Sequence, residues 1–171
     1  MMHDPNDLIM LFNDLFRGPY GTLLVRGGEE PDYVPAGSAR GFSQIIFAHD
    51  HYASALHEIS HWCIAGTERR TLRDYGYWYC PDERTSEQQQ AFEAAEVKPQ
   101  ALECLFSQAA GSRFHISVDN LSGDGAADEA SFRNNVLNQA THYLTHGMPE
   151  RADEFYKALR AFYGTPEPIL R

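Results

Sequence analysis

The segment from Tyr52 to Ala65 constrains this chain more than any other. Read as a helix, it places Tyr52, Ala53, Ala55, Leu56, Ile59, Trp62, Cys63 and Ile64 around most of its circumference, with Ser60 the one small polar exception. A helix that is apolar nearly all round belongs in an interior. The remaining arc carries Ser54, His57, Glu58, His61 and Ala65. His57 and His61 are one turn apart on the same face, with about 6 Å between Cβ atoms. Two imidazoles so placed can converge on one metal ion, and Glu58, about 100° round the helix, can act on a group bound to it. Buried polar groups need partners, and a metal would supply one. Hydrogen-bonded core histidines are the plainer alternative.

Two histidines hold a metal weakly, so a third ligand is expected from elsewhere. Ser86 followed by Gln89 resembles a capping box and opens a helical segment reaching Ala110, with Pro99 as a kink or a new start. Glu93, Glu96 and Glu103 lie on it. On one continuous helix, Glu96 and Glu103 border the apolar arc of Ala91, Phe92, Ala95, Leu102, Leu105 and Phe106, while Glu93 points further toward solvent. An ordinary solvated carboxylate competes with the ligand reading for each.

Around this helix the pattern is α+β, mainly helical with a small sheet, in one domain over residues 1–171. Asp4 and Pro5 open a first helix that Gly18-Pro19 ends. Thr22–Val25 and Ile45–His49 read as strands, with a Gly-, Pro- and acid-rich loop from Gly27 to Gly41 between them. Gly66 closes the metal helix. Tyr75–Tyr79 and Phe114–Val118 read as strands, the first placing Tyr75, Tyr77 and Tyr79 on one face. Asp119–Asp128 is a loop. Helices at Glu129–His146 and Pro149–Tyr163 finish the chain, the last with Ala152, Phe155, Leu159 and Phe162 on one stripe. His49, at a strand end, is a candidate for orienting a metal ligand, His51 a weaker one, and Tyr79 for contacting a substrate. Cys63 points to the apolar side and reads as packing. His115, His142 and His146 have no useful spacing.

A net charge of -10 argues against general nucleic-acid binding and against an anionic membrane surface. No apolar run is long enough to span a bilayer. Three cysteines without a CxxC, and no secretory signal, fit a reducing compartment, the cytoplasm being the simplest.

HExxH first brings a zinc metallopeptidase to mind, with Glu58 as general base. The metzincin extension is absent, since Ile64 and Thr67 stand where a glycine and a third histidine belong, and Gln100 stands where a thermolysin-like enzyme has an aspartate after its glutamate ligand. A broader match exists. The stretches IIFAH (Ile45–His49), YASALHEISHWCIAG (Tyr52–Gly66), DYGYWYCPD (Asp74–Asp82), FEAAEVKPQALECLF (Phe92–Phe106) and DNLSGD (Asp119–Asp124) resemble the bacterial elongation factor P hydroxylase family, over roughly Asn6 to Pro168. The resemblance implies hydroxylation of the β-lysylated lysine of translation elongation factor P, a zincin-like fold, and His57, His61 and Glu96 as ligands. Glu58 matches the motif as the catalytic carboxyl. Two histidines and one carboxylate suit a non-haem Fe(II) monooxygenase using O₂, with zinc a possible occupant as purified. A zinc peptidase and a non-catalytic, metal-stabilised binding protein are the alternatives.

Overall fold

The structure, a computed structural model, describes residues 3–37, 41–76, 86–117 and 125–167. Among the described residues, five α-helices, α1 (Pro5–Tyr20), α2 (Tyr52–Ile64), α3 (Ser86–Ala110), α4 (Gly125–His146) and α5 (Glu150–Tyr163), accompany strands β1 (Thr22–Arg26), β2 (Asp32–Val34) and β3 (Ser43–Phe47). The α+β, mainly helical class expected from the sequence is the one observed. Among the described residues no helix is long and apolar enough to cross a membrane.

The sheet has the order β1-β3-β2. β1 runs parallel to β3, with Thr22 opposite Ser43 and Arg26 opposite Phe47. β2 runs antiparallel to β3, with Tyr33 opposite Ile45. β1 is an edge, and the backbone N–H of Leu24 donates to Asn13 Oδ1 on α1 at 2.9 Å, so a side chain replaces a missing neighbour strand. β2 lies inside the stretch read as a loop. Its core-facing residue is one tyrosine, Tyr33, which is buried between two half-buried neighbours, too little apolar pattern to register in sequence.

The interior is aromatic. Trp62, on the apolar side of α2, meets Phe12 and Phe16 of α1 with ring centroids 5.0 Å away in each case, and Phe106 of α3 meets Phe155 of α5 at 5.1 Å. The Trp62 contacts hold α2 from its apolar side. Ser60, the polar exception on that side, donates to Leu56 O at 2.8 Å and so brings no unpaired group into the core.

Several sequence expectations are corrected. α1 runs through Gly18-Pro19 and stops at Gly21, whose φ is 55°; in the last turn Pro19 removes only one hydrogen bond. α2 ends at Ile64, with Ala65 extended and no glycine cap at Gly66. A guanidinium does the capping: buried Arg151 of α5 donates to the carbonyls of Trp62, Cys63 and Ala65, and Arg70 Nη1 adds a bond to Ala65 O at 2.9 Å. α3 continues through Pro99 as one element; the side chains of Ser86 and Gln89 lie outside the described residues. Tyr75 and Gly76 belong to a 3-10 turn, Arg73–Gly76, and not to a strand; Tyr77 to Tyr79 lie outside the described residues. Residues 114–117 form no strand and are held by a side chain described below. α4 starts at Gly125, inside the expected loop. On α5, Phe162 is exposed and Tyr156 is buried in its place.

Candidate metal centre

α2 and α3 pack antiparallel, so that the earlier histidine of α2 meets the later glutamate of α3. His61 Nε2 lies 3.1 Å from Glu96 Oε1, and His57 Nε2 lies 4.0 Å from Glu96 Oε2. His57, His61 and Glu96 each offer a ligand atom, all within 4.8 Å of one another. Donors bound at about 2.1 Å to one ion stand about 3.0–3.4 Å apart in octahedral or tetrahedral sites, so small side-chain adjustments bring this set onto a metal. The donor chemistry, two imidazoles and a carboxylate, suits a divalent transition metal.

The bracing around the donors is as informative as the donors. His57 Nδ1 is 2.7 Å from Glu103 Oε1. That bond engages one ring nitrogen and leaves Nε2 for a metal, the usual arrangement for a ligating histidine. Gln100, 1% exposed, donates from Nε2 to Glu96 Oε2 at 3.3 Å and to Ser117 O at 2.9 Å. Its Oε1 accepts from Ser117 N at 3.0 Å, so the amide stands in for a strand neighbour of residues 114–117 while steering the carboxylate. Glu96, Gln100 and Glu103 recur at helical spacing and share the buried face of α3.

The electrostatics follow from this packing. At His57 burial opposes the imidazolium, but the Glu103 hydrogen bond and charge outweigh it and raise the pKa to about 10. At Glu96 burial favours the neutral acid, yet the hydrogen bond and charge of His61, with the charge of His57, bring it down to about 2. Glu58, half-buried beside the histidines, is pushed upward mainly by burial, against the pull of His57 and His61. The His57 and His61 side chains keep 28% and 13% of their exposure, so the donor set is open to solvent on that side.

Of the residues singled out in the sequence, His57, His61 and Glu96 are brought together with Glu58 beside them. Glu93 is half-buried one turn before Glu96 and is not one of the three clustered donors. His49 is exposed at the end of β3, with φ 50° and its ring 5.4 Å from that of His51; it is not brought to the donors. Tyr79 lies outside the described residues. Glu103 was weighed in sequence only as a ligand; the position two turns after Glu96, matching two histidines one turn apart on the partner helix, is the signal for its bracing role.

Comparison with known proteins identifies the family. A family model described as elongation factor P hydroxylase matches residues 11–170. A relative in Haemophilus influenzae, elongation factor P lysine hydroxylase, is 48% identical over 169 residues, covering 99% of this chain and 94% of its own. The chain belongs to the elongation factor P hydroxylase family.

Proposed function

We propose that this protein hydroxylates the β-lysylated lysine of translation elongation factor P, as a non-haem iron monooxygenase. The observation that carries the reading is the close approach of His57, His61 and Glu96 on two braced helices, in a chain whose family and relative are both named as hydroxylases. The zinc peptidase and the non-catalytic binding protein have no comparable support.

His57, His61 and Glu96 would hold iron(II), with zinc able to occupy the same ligands. Iron there would supply the redox chemistry by which dioxygen oxidises a C–H bond. In net terms one oxygen atom enters that bond, and the other leaves as water with two electrons and two protons from a reductant. Glu103 keeps the His57 ring oriented and Gln100 keeps the Glu96 carboxylate oriented. Glu58 is the catalytic carboxyl: burial holds its proton to higher pH than usual, so it can exchange one with a group bound in front of the histidines. Cys63 and Cys104 are buried free thiols, which suits the reducing cytoplasm.

The test is a mass measurement. Protein loaded with iron(II) under anaerobic conditions is mixed with β-lysylated elongation factor P, ascorbate and labelled dioxygen. The factor should gain one labelled oxygen atom, and unmodified factor should gain none. No mass shift with bound iron verified would sink the proposal.

A further inference from the structure

The stretch 114–117 has the side-chain pattern of a strand and no partner strand among the described residues. Phe114 and Ile116 are half-buried against the core, while His115 and Ser117 are exposed, which is the two-residue period of an extended chain. Its inner edge is occupied. Ser117 N donates to Gln100 Oε1 at 3.0 Å, and Ser117 O accepts from Gln100 Nε2 at 2.9 Å. Successive residues of an extended chain aim their backbone groups at opposite edges. Phe114 and Ile116 therefore present N–H and C=O on the edge away from Gln100. Among the described residues neither makes a hydrogen bond.

The three-stranded sheet treats its backbone differently. On β1 the Leu24 N–H is taken by Asn13 of α1, and on β2 the Tyr33 N–H is taken by Asp74 Oδ1 at 3.0 Å. A bare edge is a template for another chain, and proteins usually blunt one with lysine, proline or a covering element. Residues 114–117 carry neither lysine nor proline. Beside them opens a cavity of about 330 Å³, lined by Phe114, His115 and Ile116 and by Glu129, Arg133 and Leu137 of α4. Those three α4 residues recur every four positions and form one stripe. Leu137 is 45% exposed on it, and Arg133 pairs with Glu129 at 3.6 Å, so the stripe is apolar at one end and neutralised at the other.

We propose that the open edge of residues 114–116 takes up an extended segment of the protein substrate as an added strand, laid in the cavity beside α4. Strand addition draws affinity from backbone hydrogen bonds and specificity from alternate side chains. Pairing with Phe114 and Ile116 uses backbone groups that are unspent among the described residues. The occupant follows from where the edge leads. The Gln100 amide that holds Ser117 also donates to Glu96 Oε2 at 3.3 Å, so two hydrogen bonds separate the end of this edge from a metal donor. A strand docked there, at about 3.3 Å per residue, carries its chain to the metal centre within a few residues. The inference deepens the hydroxylase reading and rests on it for naming the protein substrate as the occupant.

The experiment is amide hydrogen exchange on the metal-loaded chain without oxygen, alone and with β-lysylated elongation factor P. Alone, the Phe114 and Ile116 amides should exchange as fast as an open loop; with the factor they should slow at least about 10-fold. Leu137→Lys, at an exposed position, should weaken binding of the factor about 10-fold and raise KM by a similar factor, with kcat and metal content nearly constant. Slow exchange in the chain alone at every concentration means that the edge is already paired. Slowing that follows the chain's own concentration means that a second copy takes it. Either result overturns the proposal, as does unchanged exchange at both amides with the factor in excess, or wild-type binding by Leu137→Lys. Should that variant fail to fold, exchange in the wild type decides alone. Amides protected by the factor without hydroxylation remove the hydroxylase reading alone; hydroxylation with both amides unprotected removes the docking edge alone.

Discussion

The α2–α3 helix pair and the Arg73–Gly76 turn are built on opposite terms. In the helix pair the donors are braced before any metal arrives: Glu103 on His57, Gln100 on Glu96, Glu96 itself against His61. The backbone is regular and the side chains meet because helical spacing matches on two antiparallel elements. In the turn the backbone is strained and a buried hydroxyl is left unpaired. The contrast has a physical sense. A metal site must hold its geometry while empty, so its side chains are tied to one another.

The largest effect should come from cutting the helix pair. His61→Ala or Glu96→Ala should reduce bound metal to a trace and turnover by at least about 10³-fold, with metal content and the mass assay as readouts. Retention of metal by either variant would break the comparison at its root, because the donors would then lie elsewhere. A smaller effect should follow from Glu103→Gln, which keeps an acceptor for His57 but removes the charge. Metal affinity should fall about 10-fold, at the low end for a residue that orients a ligand, measured by competition with a chromophoric chelator. An unchanged affinity would leave Glu103 as a packing residue.

How much of this was legible in the sequence differs between the two regions for the same reason. The helix pair announces itself, since His57, Glu58 and His61 are the main polar strip on an otherwise apolar helix. Glu96 and Glu103 could be set on the inner edge of α3 by periodicity, but spacing alone does not tell a ligand from the group that orients one. The cap on α2 was unreadable, because Arg151 lies far along the chain and no local pattern links it to Ala65. The turn was misread: Tyr75, Tyr77 and Tyr79 alternate as a strand would, and local propensity favours extension for aromatic residues. Stacking on Tyr33 and the Tyr33–Asp74 hydrogen bond override that propensity at Tyr75, and both involve a partner about forty residues away. Pro19 misled in the same way, since it sits inside a helix whose tertiary packing outweighs one lost hydrogen bond.

The smallest expected effect is on the stability of the metal-free protein as pH changes, and it separates the two regions by which of them carries the slope. His57 has its pKa raised from 6.5 to about 10, so its stabilising contribution is complete below pH 6.5 and is lost as pH climbs to about 10. Glu96 is lowered from 4.5 to about 2, so its contribution is complete above pH 4.5 and is lost as pH falls toward 2. Around the turn, Asp32 of β2 is lowered, chiefly by its hydrogen bond from Arg73, whereas burial raises Asp74. These two carboxyls oppose each other and leave little net slope. Glu58, raised by burial, works against stability as pH climbs above 4.5, so urea unfolding of the metal-free chain should show its maximum near pH 4.5 and a decline toward pH 10. Glu103→Gln should flatten that alkaline decline, because the charge that raises His57 is gone, while Arg73→Ala should leave it in place. An alkaline decline that survives Glu103→Gln but disappears in Arg73→Ala would move the titrating pair from the helices to the turn.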